Sequence, residues 1–455
     1  MSCLLSLLIW CSLFTLLGTL VGGVTGLVPG LHPNTIAILV TGLPQVTIVL
    51  TAQAATAELP IAEGGAILLG AFLIGVLMAH SFVEIIPTAM MGIAGDDTIV
   101  ALLPAQRLYL LGRTDLIFEA VMIGGLGSLA IFAVLLFPLR AIMSDPVGAY
   151  SMIRPVMGIV LIVICAIVLL SSRDLKKLLR SLLLFGSSGM IGVLVLSLQV
   201  PSLVTKSLLS DVWSADSSSF LLAAFAGFFA IPSIAFSRMK RVEHKQSSYR
   251  STESTHIPRL GAVFRGILPS FLVGWIPAVT NAYATSFAFA FKRDNRPPLE
   301  ASFRYLVTYS ATNMGGALQA ILALAAIYRA RNGTLEAITG IISRDELGWL
   351  ELSDPPVTII ALLWSACLAS VVGAALCLLL GKKILCSRRE SSRWWIRPIV
   401  LVFLMLLILW SSGPIGYLVM LPCFLLGSLA IVIGAPRVHL MGFLLVPAIL
   451  YFVTQ

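Results

Sequence analysis

Charge is what this sequence lacks. Acidic and basic residues together make up 11% of its 455 positions, against about 25% in soluble globular chains. With 58% of the residues hydrophobic, that scarcity excludes a soluble globular protein, whose single core could not hide so much apolar surface. Histidine is sparse as well: His32, His80, His244, His256 and His439 are scattered along the chain, and no zinc, nucleotide-binding or nucleophile-elbow pattern is present. The cysteines Cys3, Cys11, Cys165, Cys367, Cys377, Cys386 and Cys423 have neither metal-ligand spacing nor the layout of a disulfide framework. Most lie in apolar runs, where a free thiol acts as a small hydrophobe. Catalytic residues, a cofactor and a structural metal are therefore not expected.

What fills the chain instead is apolar runs, most of them ~18 or more residues, enough to cross a ~30 Å hydrocarbon core as a helix. They fall near 3–28, 35–50, 64–94, 115–139, 152–170, 181–200, 218–237, 260–291, 301–328, 356–380, 398–410, 412–434 and 438–454. The pattern predicts an all-α polytopic membrane protein of about 11–13 membrane segments. The run 3–28 has no basic n-region and no cleavage pattern, so it reads as a first membrane segment rather than a signal peptide. The net charge of +9 sits in short loops beside the spans, which is the positive-inside pattern and not a nucleic-acid surface.

One stretch is strongly polar. Residues 237–259, with Arg238, Lys240, Arg241, Lys245, Arg250 and Arg259, read as a cytoplasmic linker between a first membrane half, 1–236, and a second, 260–455. The basic groups Arg173, Lys176, Lys177 and Arg180, and Lys382, Lys383, Arg388, Arg389 and Arg393, mark two more cytoplasmic loops. Loops 51–63, 201–217 and 329–355, richer in acid than base, are assigned to the outside. The number of crossings between the linker and the loop at 382–397 must then be even, yet three apolar segments lie there. A hairpin at 260–291, broken by Pro269, Gly274 and Pro277, restores parity, since proline removes a helix donor and clashes with the preceding turn. Residues 1–50 break at Pro29-Gly30-Leu31-His32-Pro33 with the opposite sidedness, the pattern of an inverted-topology repeat. Gly26-Leu27-Val28-Pro29-Gly30 also matches Gly266-Ile267-Leu268-Pro269-Ser270 in residue type at each position, and Asn34-Thr35 and Thr280-Asn281 follow.

Broken helices expose backbone groups that lipid cannot satisfy, so they persist only beside protein or a watery cavity. Pro29, Gly30, His32, Asn34 and Thr35, with Pro269, Ser270, Thr280 and Asn281, are the candidate substrate-binding residues, because a helix N-terminus suits an anion. The bland alternative is a pair of kinks that serve packing alone. His80 and Glu84 lie one turn apart on one helix face, and an ionisable residue inside a span faces a partner or a cavity. They are the candidate ion-coupling pair, unless they merely satisfy each other near the helix end. Asp96 and Asp97 read as an N-cap and first-turn acid of a short helix, with too few ligands nearby for a metal. The stretch Tyr309-Ser310-Ala311-Thr312-Asn313-Met314-Gly315-Gly316 sets hydroxyls and an amide in mid-span; Thr312 and Asn313 complete the candidate binding set. Asn332-Gly333-Thr334 is a glycosylation sequon.

The segment Gly26-Leu27-Val28-Pro29-Gly30-Leu31-His32-Pro33-Asn34-Thr35 resembles the Pro-Gly-Leu-Gly-Pro segment in the large membrane subunit of tripartite tricarboxylate transporters, and more closely their archaeal homologues. Three further stretches carry the resemblance: His80-Ser81-Phe82-Val83-Glu84-Ile85-Ile86-Pro87; Asp96-Asp97-Thr98 through Leu103-Pro104 to Gly112-Arg113; and Thr312-Asn313 through Tyr328 to Asn332-Gly333. The resemblance implies a secondary transporter of small organic anions in a cell membrane, driven by Na+ or H+, with a small membrane subunit or an external binding protein as partners. The chain departs from it at His32-Pro33-Asn34, at Ser270 and at His80-Ser81-Phe82. Two other readings compete: a polyprenyl-phosphate translocase, which would use the same helix N-termini for phosphate, and a membrane-embedded lipid enzyme, which would need acid, base or metal ligands clustered at one depth.

Overall fold

A computed structural model of the chain describes residues 2–42, 64–171, 174–197, 219–236, 259–291, 296–385 and 396–454. The acidic loops at 51–63 and 201–217, the linker up to residue 258 and the basic loop from 386 lie outside the described residues. Among those described there is no strand, and nine helices are long and apolar enough to cross a membrane. The chain is a multi-pass α-helical membrane protein, as its hydropathy predicts.

The first half begins with α1 (Ser2–Leu27), breaks at 28–32 and resumes as α2 (Pro33–Thr41). Helices α3 (Gly64–Val83) and α4 (Ile85–Met91) form one rod that turns at Glu84. They are followed by α5 (Leu102–Leu110), α6 (Thr114–Met143), α7 (Met157–Leu170) and α8 (Leu175–Ser197), then the shorter apolar segment Phe220–Phe236. The second half repeats the order. Helix α9 (Arg259–Trp275) breaks at 276–280 and resumes as α10 (Asn281–Ala290). After it come α11 (Pro298–Ile327), α12 (Gly333–Ile341), α13 (Val357–Leu385), α14 (Ile396–Val432), bent at Gly413, and α15 (Gly442–Thr454).

Lipid offers little hydrophobic force between helices, so close backbone contact and dispersion must hold them together. Small residues supply that contact in both halves. A Cβ on Gly18 would sit 2.0 Å from the Phe72 carbonyl oxygen, and one on Gly26 2.8 Å from Val83 Cβ, so α1 lies directly on α3. Gly266 and Gly274 bring α9 equally close to α11 at Thr308 and Gln319. The two glycine pairs have the same spacing, and so do the residues they meet. Superposing Gly18 on Gly266 brings Pro29 onto Pro277, Gly30 (φ 86°) onto Ala278 (φ 63°) and His32 onto Thr280. Superposing Phe72 on Thr308 brings Gly92 onto Tyr328, which both have positive φ.

That register corrects the expected pairing of Pro29-Gly30 with Pro269-Ser270. Pro269 and Ser270 lie inside α9, where Ser270 Oγ donates to the Ile267 carbonyl at 2.6 Å. The second break comes about two helical turns later. A lone proline within a membrane helix can be absorbed by its neighbours, whereas Pro277 beside the left-handed Ala278 turns the chain out of the helix.

The direction of the halves follows from contacts near the ends of α6 and α13. Phe118, near the start of α6, packs beside Gly381, near the end of α13. Arg140, near the end of α6, donates to the Trp349 carbonyl at 2.5 Å, just before α13 begins. These counterpart helices therefore run antiparallel, as an inverted repeat requires. The halves also interlock: Ser310 Oγ of α11 donates to the Val121 carbonyl of α6 at 2.7 Å, and Cys377 Sγ of α13 reaches the Phe82 carbonyl of α3 at 3.2 Å. Helices α7, α8, α14, α15 and Phe220–Phe236 pack together beside this interlocked body. The stretch 329–355, expected as an external loop, contains α12, which packs on α2 and α3.

Candidate functional site

Each short helix after a break is tied to the opposite half at its first turn. His32 caps α2, its Nδ1 accepting from Asn34 N at 3.3 Å, with Pro33 next in line. Asn34 Oδ1 in turn accepts from the N–H and hydroxyl of Thr334, at 3.0 and 3.1 Å, where α12 begins. On the other side, Thr280 caps α10 by accepting from Tyr283 N at 3.4 Å. Asn281 N donates to Asp97 Oδ1 of the first half at 3.2 Å. Asp97, expected to cap the turn that follows it, makes no such cap bond and serves the start of α10 instead. The Thr334 hydroxyl of the sequon is buried in this contact between halves.

A continuous polar chain joins the two breaks. Thr25 Oγ1 lies 3.1 Å from His80 Nδ1, and His80 Nε2 lies 3.6 Å from Glu84 Oε2. Glu84 Oε1 accepts from Asn313 Nδ2 at 2.9 Å and from the Tyr309 hydroxyl at 3.1 Å. Asn313 Oδ1 accepts from Asn281 Nδ2 at 2.8 Å, which leads back through Asp97 to His32. One potential ligand atom from each of His32, Asp96 and Asp97 falls within 4.8 Å of the others. Loss of water contact, then repulsion from Glu84 at Asp96 and from Asp96 and Glu84 at Asp97, raises the carboxyl pKa of both aspartates.

The chain of polar groups borders a cavity of about 930 Å³. Pro29, Gly30, His32, Asn34, Thr35, His80 and Glu84 line it on the side of the first break, and Leu221, Phe225, Trp410 and Ser411 on the side of the flanking helices. Among the described residues its charged lining is acidic: Glu84, Asp96 and Glu336 face it, and no Lys or Arg is among the described lining residues.

The remaining candidates lie elsewhere. Asn281 and Asn313 join the polar chain, and Thr280 acts as a helix cap. Thr312 turns away into the packing of α9 on α11, its hydroxyl donating to the Gly266 carbonyl at 3.0 Å. Pro269 and Ser270 are within α9. Sequence reasoning passed over Thr25 and Arg331, named Tyr309 only as part of a polar stretch in mid-span, and gave Asp96 and Asp97 a local task. Arg331 Nε donates to the Val273 carbonyl at 2.5 Å and its terminal nitrogen to the Val279 carbonyl at 3.2 Å, on either side of the second break. Burial, then the nearby Arg329, lowers its pKa to about 9, so it stays a cation at neutral pH. The one signal in the sequence was an arginine directly after a long apolar helix.

Comparison with known proteins agrees with this architecture. The family model described as the tripartite tricarboxylate transporter TctA family matches residues 13–442. An uncharacterized protein of Methanocaldococcus jannaschii is 24% identical over 389 residues, which cover 84% of this chain and 88% of that relative. No solved structure matches. The family match runs from within α1 to the start of α15 and takes in both breaks, and the chain belongs to the TctA family of tripartite tricarboxylate transporters.

Proposed function

We propose that this chain carries small organic anions of the di- and tricarboxylate type across the membrane, each anion moving with a coupling cation, Na+ or H+. The observation that carries the reading is the acid-lined cavity at the first helix break. A bare anion entering it would meet Glu84, Asp96 and Glu336 with no Lys or Arg among the described lining residues, and like charges in a medium of low dielectric repel strongly. An anion therefore enters only if cations accompany it, which is what coupling means in free-energy terms. The positive end of α2 points its dipole at the same cavity, and Asn34 and Thr35 offer polar contacts to a carboxylate. His80 and Glu84, in the cavity wall, are the groups through which a proton would act.

Transport needs the site to face each side in turn. The cavity lies between the interlocked repeats and the flanking helices, so sliding one group against the other would expose it alternately. The family's tripartite organisation supports a small membrane subunit and an external binding protein as partners that deliver substrate. The polyprenyl-phosphate reading draws no support from the family match, which names tricarboxylates.

The test is uptake of labelled citrate, tricarballylate and succinate into proteoliposomes holding the full chain with its partner subunits, under an imposed Na+ or proton gradient. Accumulation of at least one acid is expected. No uptake under either gradient, beside flipping of a short-chain prenyl phosphate, would replace this reading with the lipid one.

A further inference from the structure

The second half holds a cationic side chain, Arg331, at its break, and among the described residues no Lys or Arg lines the cavity at the first. In the register that matches Gly92 to Tyr328, Gly95 corresponds to Arg331 and Asp96 to Asn332. Arg331 places its guanidinium against the carbonyls of Val273 and Val279, neutralising the negative end of α9 where the helix stops. The first-half counterparts of those two carbonyls are Thr25 and Leu31, which flank Pro29 and Gly30. At the position of the arginine stands Gly95. Leu31, Gly95 and Asp96 line the cavity together, and the donor atoms of His32, Asp96 and Asp97 converge beside them. One break thus has an internal positive charge, while the other has an open space, a helix end and two carboxylates.

We infer that the first break binds a small monovalent metal cation, of the Na+ kind, held by the Asp96 carboxylate and the main-chain carbonyls of the break, where the second break holds the Arg331 guanidinium. Carboxylate and carbonyl oxygens are hard ligands, the set that unwound helices present to Na+. Single charge follows from the repeat, because one guanidinium, a single positive charge, stands in the matching position. Occupancy would cancel the acid at the cavity wall and let the substrate anion in. The ion's purpose, though not its binding, rests on the carrier reading proposed above.

The internal repeat supplies the test. Gly95→Arg puts into the first half the cation the second already has. Gly95 has no positive φ, and a Cβ there would meet only Thr98 Oγ1, at 3.8 Å, so the stem has room to start. Melting of the purified full chain is followed in NaCl against choline chloride at equal ionic strength, with binding of labelled Na+ in parallel. Wild type and Gly95→Ala are expected to melt higher in NaCl, with saturation. Gly95→Arg is expected to melt at one temperature in both salts and to bind about tenfold less Na+ or lower still, and Asp96→Asn to weaken apparent Na+ affinity by about tenfold or more. An unchanged Na+ response in Gly95→Arg or in Asp96→Asn overturns the site, as does a wild type indifferent to Na+. A response to Mg2+ or Ca2+ without one to Na+ overturns the monovalent assignment. Should Gly95→Arg fail to fold, Asp96→Asn decides alone. Carboxylate uptake that persists without Na+ would spare the carrier reading and remove this site; Na+ binding at Asp96 without any carboxylate uptake would do the reverse.

Discussion

At the first break the chain turns at Pro29 and Gly30 and leaves a cavity bordered by Glu84 and Asp96, while at the second it turns at Pro277 and Ala278 and Arg331 fills the space. The backbones follow one plan, down to a left-handed residue after each proline. The side chains have diverged. In the shared register His80 falls on Gly316 and Glu84 on Ala320, so the first half keeps the ionisable groups and the second supplies Tyr309 and Asn313 to hold them. Repetition builds the scaffold, and asymmetry within it sets the two breaks apart.

The largest effect expected from breaking this comparison is at Arg331. Arg331→Met leaves the Val273 and Val279 carbonyls without their cation, and unfolding followed by heat or denaturant should show a loss of about 2–4 kcal/mol. A change under 1 kcal/mol would mean that the second break needs no internal charge. Next comes Glu84→Gln, which keeps the shape but removes the charge that Asn313 and Tyr309 donate to. Substrate transport should fall by roughly ten- to a hundredfold, whereas Ala320→Gln, at the matching place in the second half, should leave the Glu84 contacts intact and reduce it far less. Equal losses from both variants would contradict the asymmetry.

Smaller effects sharpen the backbone side of the comparison. Gly30→Ala forces a Cβ into a left-handed position and to within 2.4 Å of Leu404 Cδ2, which should lower stability by about 2 kcal/mol. Ala278→Gly goes the other way, relieving a left-handed alanine, and should raise stability by roughly 1 kcal/mol. If Ala278→Gly destabilises the chain, the two turns are not equivalent and the register is wrong.

Much of this architecture could be read from the sequence because it rests on local properties. Apolar length located the spans, and proline with glycine marked the first break. The register between halves was misread because Gly26-Leu27-Val28-Pro29-Gly30 looks more like Gly266-Ile267-Leu268-Pro269-Ser270 than like the true counterpart around Pro277, where alanine has replaced glycine. The site was legible only in pieces. His80 and Glu84 announce themselves as charges in a span, but that Glu84 accepts from Asn313, or Asp97 from Asn281, depends on helices far apart in the chain. Arg331 was hidden for the same reason: its partners are the carbonyls of a helix that ended well before it, and main-chain groups leave no mark in a sequence.

The account holds that an acid-lined cavity takes up an anion only in company with a cation. The direct measurement is the affinity of the purified full chain for a tricarboxylate, such as citrate, by calorimetry at a series of Na+ concentrations and constant ionic strength. The predicted result is reciprocal linkage, with citrate binding more tightly as Na+ rises and Na+ binding more tightly as citrate rises, by the same factor. A citrate affinity that moves with neither Na+ nor pH would contradict it, and one that moves with pH alone would contradict the Na+ site.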